Sequence, residues 1–343
     1  MKTEKWKTVR LGDVCEKGSS NIAQNEITDN NGEYPIYGAA GFIKNVDFYK
    51  QDKPYIGIVK DGAGVGRVSV HPAKSSLIGT MQYIFPKENI DIKFLAEFLK
   101  YQNLSRFYTG ATIPHIYFKD YQKIPLKLPS LQKQKHISAV LDKCTALIAK
   151  HKLMLEKYDT LVKSRFIEMF GDPRINSKNL PSVKFIDVIK LQRGFDLPVQ
   201  ERDSTGTINV YGSNGVLGKH NEIKVKGPGI VTGRSGTLGK VYYVLEDYWP
   251  LNTTLFSVDT HGNNVIYLKY LLEAFELERF TEGAGVPTLN RNIVHEKEII
   301  NAPLELQQQF AAFVQQIDKS KFEIWRYLKF SDIMNKIGFR FYD

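Results

Sequence analysis

Apolar residues gather in two ways along this chain, in short β-branched and aromatic runs and in long helical stripes. Tyr34 to Gly38, Tyr55 to Val59, Val65 to Val70 and Met81 to Phe85 are runs of the first kind, each bounded by Gly, Asp or Pro. They predict strands, because branched and ring side chains suit a pleated surface and the flanking residues suit turns. A short amphipathic segment, Val9 to Val14, precedes them. Between Ile92 and Tyr101, Phe94, Leu95, Phe98 and Leu99 recur at helical spacing, and Ile266 to Phe275 repeats the pattern.

From Leu131 to Phe170 no Gly or Pro occurs. Ile137, Leu141, Cys144, Ile148, His151, Leu155, Tyr158, Val162, Arg165 and Met169 follow steps of four and three, the signature of a coiled-coil seam. Val140, Leu147, Met154 and Leu161 run beside it at sevens and would widen the stripe. Gly171-Asp172-Pro173 stops the helix. A second seam begins at Pro303-Leu304 and passes through Phe310, Val314, Ile317, Ile324 and Leu328, with Lys321 interrupting. A rod of about 50 Å, at 1.5 Å per residue, would leave much of its seam in water if it packed only on a small domain. The two seams are therefore expected to pair as antiparallel helices. Phe330 to Asp343 contains Gly338 and loses the rhythm, so the second helix is expected to be truncated or altered there.

The chain also repeats itself at a near-constant offset. Asp13-Val14 and Tyr37-Gly38-x-x-Gly41 return 174 positions later as Asp187-Val188 and Tyr211-Gly212-x-x-Gly215. Gly66-Arg67-Val68 returns 173 later as Gly239-Lys240-Val241, Thr80 as Thr253, and Phe107-x-x-Gly110-Ala111-x-x-Pro114 as Phe280-x-x-Gly283-Ala284-x-x-Pro287. A period this long is a whole domain. The resulting expectation is an α+β chain of two similar mixed α/β domains, 1–130 and 172–303, joined by two long antiparallel helices, 131–171 and 304–343, that form a coiled coil.

Composition adds a partner. Lys and Arg exceed Asp and Glu by 47 to 37, for a formal charge of +10, and 18 Tyr and 20 Phe accompany them. Cations with planar side chains favour a polyanion such as nucleic acid. No apolar run approaches the ~18 residues needed to span a membrane, and no export signal is readable. The two cysteines, Cys15 and Cys144, form no C-x-x-C pair and suggest reduced, buried thiols in a cytoplasmic protein.

Catalytic signals are missing. Gly233 to Val241 misses phosphate-loop spacing by one and has Val241 where a hydroxyl residue would hold Mg²⁺. Gly62-x-Gly64-x-Gly66 lacks dinucleotide-turn spacing, and no H-E-x-x-H or G-x-S-x-G occurs. The glycine segments suggest tight turns whose tips carry cations and hydroxyls: Lys60-Asp61-Gly62 before Arg67, and Arg234-Ser235-Gly236 before Lys240. Lys and Arg there could neutralise phosphates or fork onto guanine edges.

These elements, followed by Pro129-Ser130-Leu131-Gln132-Lys133-Gln134 and by Pro303 to Gln309 at the head of each long helix, make the chain resemble the specificity subunits of type I restriction-modification systems. The resemblance runs from about residue 6 to residue 330. It implies two target-recognition domains that each read half of a split site in double-stranded DNA, held apart by the helices, with no catalysis in this chain. It further implies assembly with two modification (methyltransferase) subunits and with restriction (translocase/nuclease) subunits in host defence. S-adenosylmethionine and ATP with Mg would sit on those partners, and no cofactor or metal on this chain.

Under that reading, positions where the copies disagree are candidates for base readout: Lys60 and Asp61 against Gly233 and Arg234, Ser69 against Tyr242, Gln82 against Leu255, His115 against Thr288, and Tyr117 against Asn290. Arg67 and Lys240, which keep their charge, are candidates for phosphate, and Ser235 and Arg291 complete the set. Some of these polar residues are expected only to cap turns. Two competing expectations are a coiled-coil scaffold that binds nucleic acid without sequence preference, and the recognition part of a fused restriction-modification enzyme.

Overall fold

Strands form where the branched and aromatic runs predict them in the computed structural model, which describes residues 6–110, 113–283 and 287–338. Ala111 and Ala284 of the repeated motif lie outside the described residues. Tyr34–Gly38 and Tyr55–Val59 match their expected bounds, and Met81–Pro86 runs one residue further. The strand expected from Val65 begins instead at Val68 and ends at His71. Gly62, Gly64 and Gly66 before it have φ of +77°, +87° and +84°, a left-handed backbone that no strand accommodates.

Each half builds the same two sheets. In the first, Cys15–Ser19, Met81–Pro86, Tyr55–Val59 and Val68–His71 lie side by side in that order, all antiparallel. In the second half the same order is made by Lys190–Arg193, Thr254–Asp259, Gly229–Gly233 and Val241–Val244. The three-stranded sheet of Gly41–Val46, Tyr34–Gly38 and Ser76–Leu77 is likewise matched by Gly215–His220, Ile208–Gly212 and Tyr248–Pro250. Even the register shift is shared, at Ile36/Tyr37 and Val210/Tyr211. Shared strand order and a shared irregularity mark duplication of a whole domain.

The helix Ile92–Tyr101 buries Phe94, Leu95, Phe98 and Leu99 against Ile56, Ile58, Val68 and Ile84 of the first four-stranded sheet. Asp91 starts it, its carboxylate accepting from Phe94 N–H at 2.9 Å. Its counterpart, Val265–Phe275, is capped by Asn264, which accepts from Ile266 N–H at 2.9 Å. Cys15 lies in the first core, where burial pushes its thiol up to about 12, whereas Cys144 is only half-buried.

The first long helix runs Leu131–Phe170 and stops where Gly171 turns to φ +74°. The second runs Leu304–Gly338, so the expected truncation after Leu328 does not occur. Described seam positions are buried or half-buried on both helices. Val140, Leu147 and Leu161 are instead exposed and Met154 alone of that row is half-buried, so the row beside the seam widens it only at Met154.

By contact the chain divides into two units, one holding the residues up to His151 and those from Tyr327, the other Lys152–Arg326. Each unit thus takes a stretch of both long helices. Within the second unit Phe166 and Phe170 meet Phe310 with ring centres 5.5 and 5.7 Å apart, and Lys321 Nζ reaches Asp159 Oδ1 at 2.5 Å. Partners rise on one helix as they fall on the other, so the pair is antiparallel. Lys321, which breaks the seam, is accommodated by pairing with Asp159. Within the first unit the same pairing direction brings the rings of His151 and Tyr327 to 6.2 Å.

Candidate nucleic-acid interface

The two glycine turns occupy the same place in their units, and backbone hydrogen bonds fix their alignment. Lys60 and Asp61 both donate N–H to the Thr80 carbonyl, at 3.0 and 3.2 Å, and Ile116 N–H donates back to Lys60 O at 3.0 Å. Arg234 and Ser235 donate in the same way to the Thr253 carbonyl, at 2.9 and 3.2 Å, and Leu289 N–H donates to Arg234 O at 2.8 Å. Lys60 therefore stands opposite Arg234 and Asp61 opposite Ser235, not opposite Gly233 and Arg234 as the 173-residue offset suggested. The first turn holds one extra residue between Gly62 and Gly66, which moves the offset from 174 to 173. Both copies carry a cation at this position.

A second cation in each copy ties the turn to the Tyr-Gly-x-x-Gly motif. The exposed Arg67 donates from Nη1 to the Ala39 carbonyl at 2.8 Å, and the exposed Lys240 donates from Nζ to Asn214 Oδ1 at 2.7 Å. Two motifs far apart in sequence thus become one surface. Glycine is required at Gly66 for packing rather than ligand approach, since a Cβ there would lie 2.4 Å from the backbone nitrogen of Ser105.

On the other flank of the first turn, charge converges on Asp61. Lys60 Nζ reaches its Oδ2 at 2.6 Å, and His115 Nδ1 contacts its Oδ1. Partial burial works to raise the Asp61 carboxyl pKa, but hydrogen bonds from Lys60 and His115 outweigh it and hold the group below the usual carboxylate range. The His115 ring packs 4.1 Å from that of the exposed Tyr117, over which Lys119 Nζ sits at 5.0 Å. Lys119 was not among the expected residues, although its place two positions after Tyr117 was a signal. In the second unit Arg234 Nη1 donates to the Asn252 carbonyl at 3.2 Å, and Ser235 bridges to Thr288 by backbone. Asn214 and Asn252 were missed as well, the former despite lying inside the repeated motif.

Other expected residues fall elsewhere. Gln82 is 7% exposed and accepts the Tyr121 hydroxyl at 2.6 Å, so like its buried counterpart Leu255 it belongs to the core and leaves the readout set. Ser69 is half-buried, its Oγ held 2.7 Å from Nε2 of the buried His71. Tyr242 is half-buried with its ring 6.3 Å from Tyr211. Asn290 caps the short helix Arg291–His295, accepting from Asn292 N–H at 3.1 Å, and its amide donates to Glu282 at 3.0 Å. That capping role accounts for its polarity. Arg291 makes no side-chain hydrogen bond or ion pair among the described residues.

Among the described residues no cluster of three or more His, Cys, Asp or Glu could hold a metal ion, and no helix is long and apolar enough to cross a membrane. A chain that builds one cation-bearing turn twice, on matching α/β units that share two antiparallel helices, has the form of a duplicated DNA-recognition protein. The family model described as the type I restriction modification DNA specificity domain matches residues 3–157 and 178–329, and the chain belongs to that family, whose members are non-catalytic specificity subunits.

Relatives span nearly the whole chain. A putative type I specificity subunit of Mycoplasma pneumoniae is 23% identical over 333 residues, covering 89% of this chain and 87% of its own. A putative type I restriction enzyme specificity subunit of Haemophilus influenzae is 21% identical over 312 residues, covering 84% and 80%. Among solved structures, the type I restriction-modification S subunit from M. genitalium superposes with a TM-score of 0.67 at 16% identity, over 97% of this chain and 94% of that one. A structure described as the basis of complex assembly and conformational transition of the type I R-M system superposes at 0.62 with 12% identity, over 98% and 97%. These likenesses support the two-unit fold.

Proposed function

We propose that each unit reads one half of a bipartite site in double-stranded DNA, and that the paired helices set the spacer between the halves. The observation that carries this is the twofold construction of one surface, in which Lys60/Arg234 and Arg67/Lys240 stand at equivalent backbone positions while Asp61/Ser235 and His115/Thr288 differ. The exposed pair Arg67/Lys240 suits phosphate, which is the same at every step, and the differing neighbours suit two different base sequences. One scaffold then serves two half-sites.

The same reading gives the chain two modification subunits as partners, supplying S-adenosylmethionine and methylating adenine, and restriction subunits supplying translocase and nuclease activity with ATP and Mg. The chain itself would hold no cofactor and act in the cytoplasm. Methylome sequencing of a host carrying the chain with its modification partner tests the assignment. A bipartite methylated adenine motif that disappears when this chain is deleted is the expected result. Methylation with no bipartite motif, or unchanged by the deletion, overturns it.

A further inference from the structure

We propose that His115 reads an exocyclic amino group on a base edge, adenine N6 or cytosine N4, and that Asp61 is the residue that positions it to do so. This rests on the DNA-reading assignment above and deepens it for the first unit.

Asp61 is poorly placed to touch DNA itself. Both of its oxygens are engaged, Oδ2 by Lys60 at 2.6 Å and Oδ1 by His115 Nδ1. An ionised carboxylate only accepts hydrogen bonds, and its charge repels phosphate. Its effect falls on the imidazole. A carboxylate at Nδ1 requires that nitrogen to carry the proton. In the neutral imidazole Nε2 is then left as a bare lone pair.

Among the described residues that lone pair has no partner, and the His115 side chain is 26% exposed. The Tyr117 ring, 4.1 Å away, and the backbone pair between Thr109 and His115, at 2.8 and 2.9 Å, hold the imidazole in place. A fixed acceptor presented to a major groove would select the donors displayed there, which are the amino groups of adenine and cytosine. In the second unit the same backbone positions hold Ser235 and Thr288, whose hydroxyls both donate and accept. The two half-sites would then be read with different chemistry from one scaffold.

Selection from a randomised duplex library at pH 8 tests this, using the full chain assembled with its modification subunits. His115→Ala should erase the preference at one base pair of one half-site and leave the other half unchanged. Asp61→Asn should act on that same base pair differently. Its amide can rotate to donate to Nδ1, turning Nε2 into an N–H donor, so edges bearing acceptors, such as guanine O6 and N7, should gain. Deleting the amino group there, with purine for adenine or 2-pyrimidinone for cytosine, should weaken the wild-type chain on the order of tenfold and leave His115→Ala unaffected. The exposed side of the cluster makes Asp61→Asn the gentler variant should His115→Ala fail to fold. Uniform loss across all positions in both variants, or no change at any, overturns the inference. If the wild type still enriches a bipartite motif in that case, the DNA-reading assignment stands without it, and a wild type that enriches none overturns both.

Discussion

Gln134 and Gln307, 173 positions apart, hold the same pose at the heads of the two long helices. Each is 1% exposed, and each side-chain oxygen accepts the backbone N–H of a helix-capping residue at 2.9 Å, Asp91 for one and Asn264 for the other. The amide of Gln134 donates to the Pro129 and Asn89 carbonyls at 3.0 and 3.1 Å. That of Gln307 donates to the Ala302 carbonyl at 2.8 Å and to Asn263 Oδ1 at 2.7 Å. The glutamine of Leu131-x-x-Gln134 and of Leu304-x-x-Gln307 is thus the bolt between a long helix and the domain core of its own unit.

Gln134→Ala or Gln307→Ala takes the partner from a part-buried backbone N–H and from two acceptor oxygens, and each should cost about 1–3 kcal/mol. Urea unfolding should show each variant destabilising the unit that contains it. A midpoint unchanged in both would remove the glutamines from that role.

His71 is 5% exposed, and burial lowers its pKa to about 4. In the unfolded chain it titrates near 6.5. Between those values the unfolded chain binds a proton that the folded chain excludes, so stability is fully present above about pH 6.5 and is lost as the pH falls toward 4. The loss is on the order of 3 kcal/mol. Unfolding midpoints from pH 7.5 to 4.5 should fall in the wild type and fall less in His71→Asn. Parallel curves for the two proteins would assign the acid sensitivity to another group.

Arg67→Ala and Lys240→Ala remove the equivalent exposed cations at the two turns. Each should weaken binding about equally for all duplex sequences and lower the salt slope by about 1. Loss confined to one base position would make the residue a base reader instead.

Arg234→Ala removes a guanidinium whose Nη1 is held by the Asn252 carbonyl and whose remaining donors have no hydrogen-bond partner among the described residues. If they fork onto a base, the variant should cost on the order of 1 to 3 kcal/mol and relax specificity in one half-site only. Equal losses on every sequence would class Arg234 with the phosphate contacts.

Much of this architecture is legible in the residues because the signals are strong and local. Forty positions without Gly or Pro, a four-three rhythm and a Gly171 stop leave one reading for Leu131–Phe170. The site is less legible because it depends on what the backbone does between motifs. A single extra residue between Gly62 and Gly66 shifts Lys60 from facing Gly233 to facing Arg234, and only the hydrogen bonds to Thr80 and Thr253 reveal it. Gln82 looks like a polar difference between the copies, yet its strand is central in a sheet and the residue is buried, satisfied by Tyr121. Asn290 looks like a reader and is a helix cap. The loss of heptad rhythm after Leu328 suggested an end to the second helix, but backbone hydrogen bonding carries it to Gly338 without a regular seam.

Lengthening the paired helices tests the account most directly. Seven residues inserted into each long helix at the level of the His151 and Tyr327 pair would add on the order of 10 Å while keeping the seam in phase. The motif selected from randomised duplexes should keep both half-sites and widen its spacer by a few base pairs. Unchanged half-sites with an unchanged spacer would contradict the account.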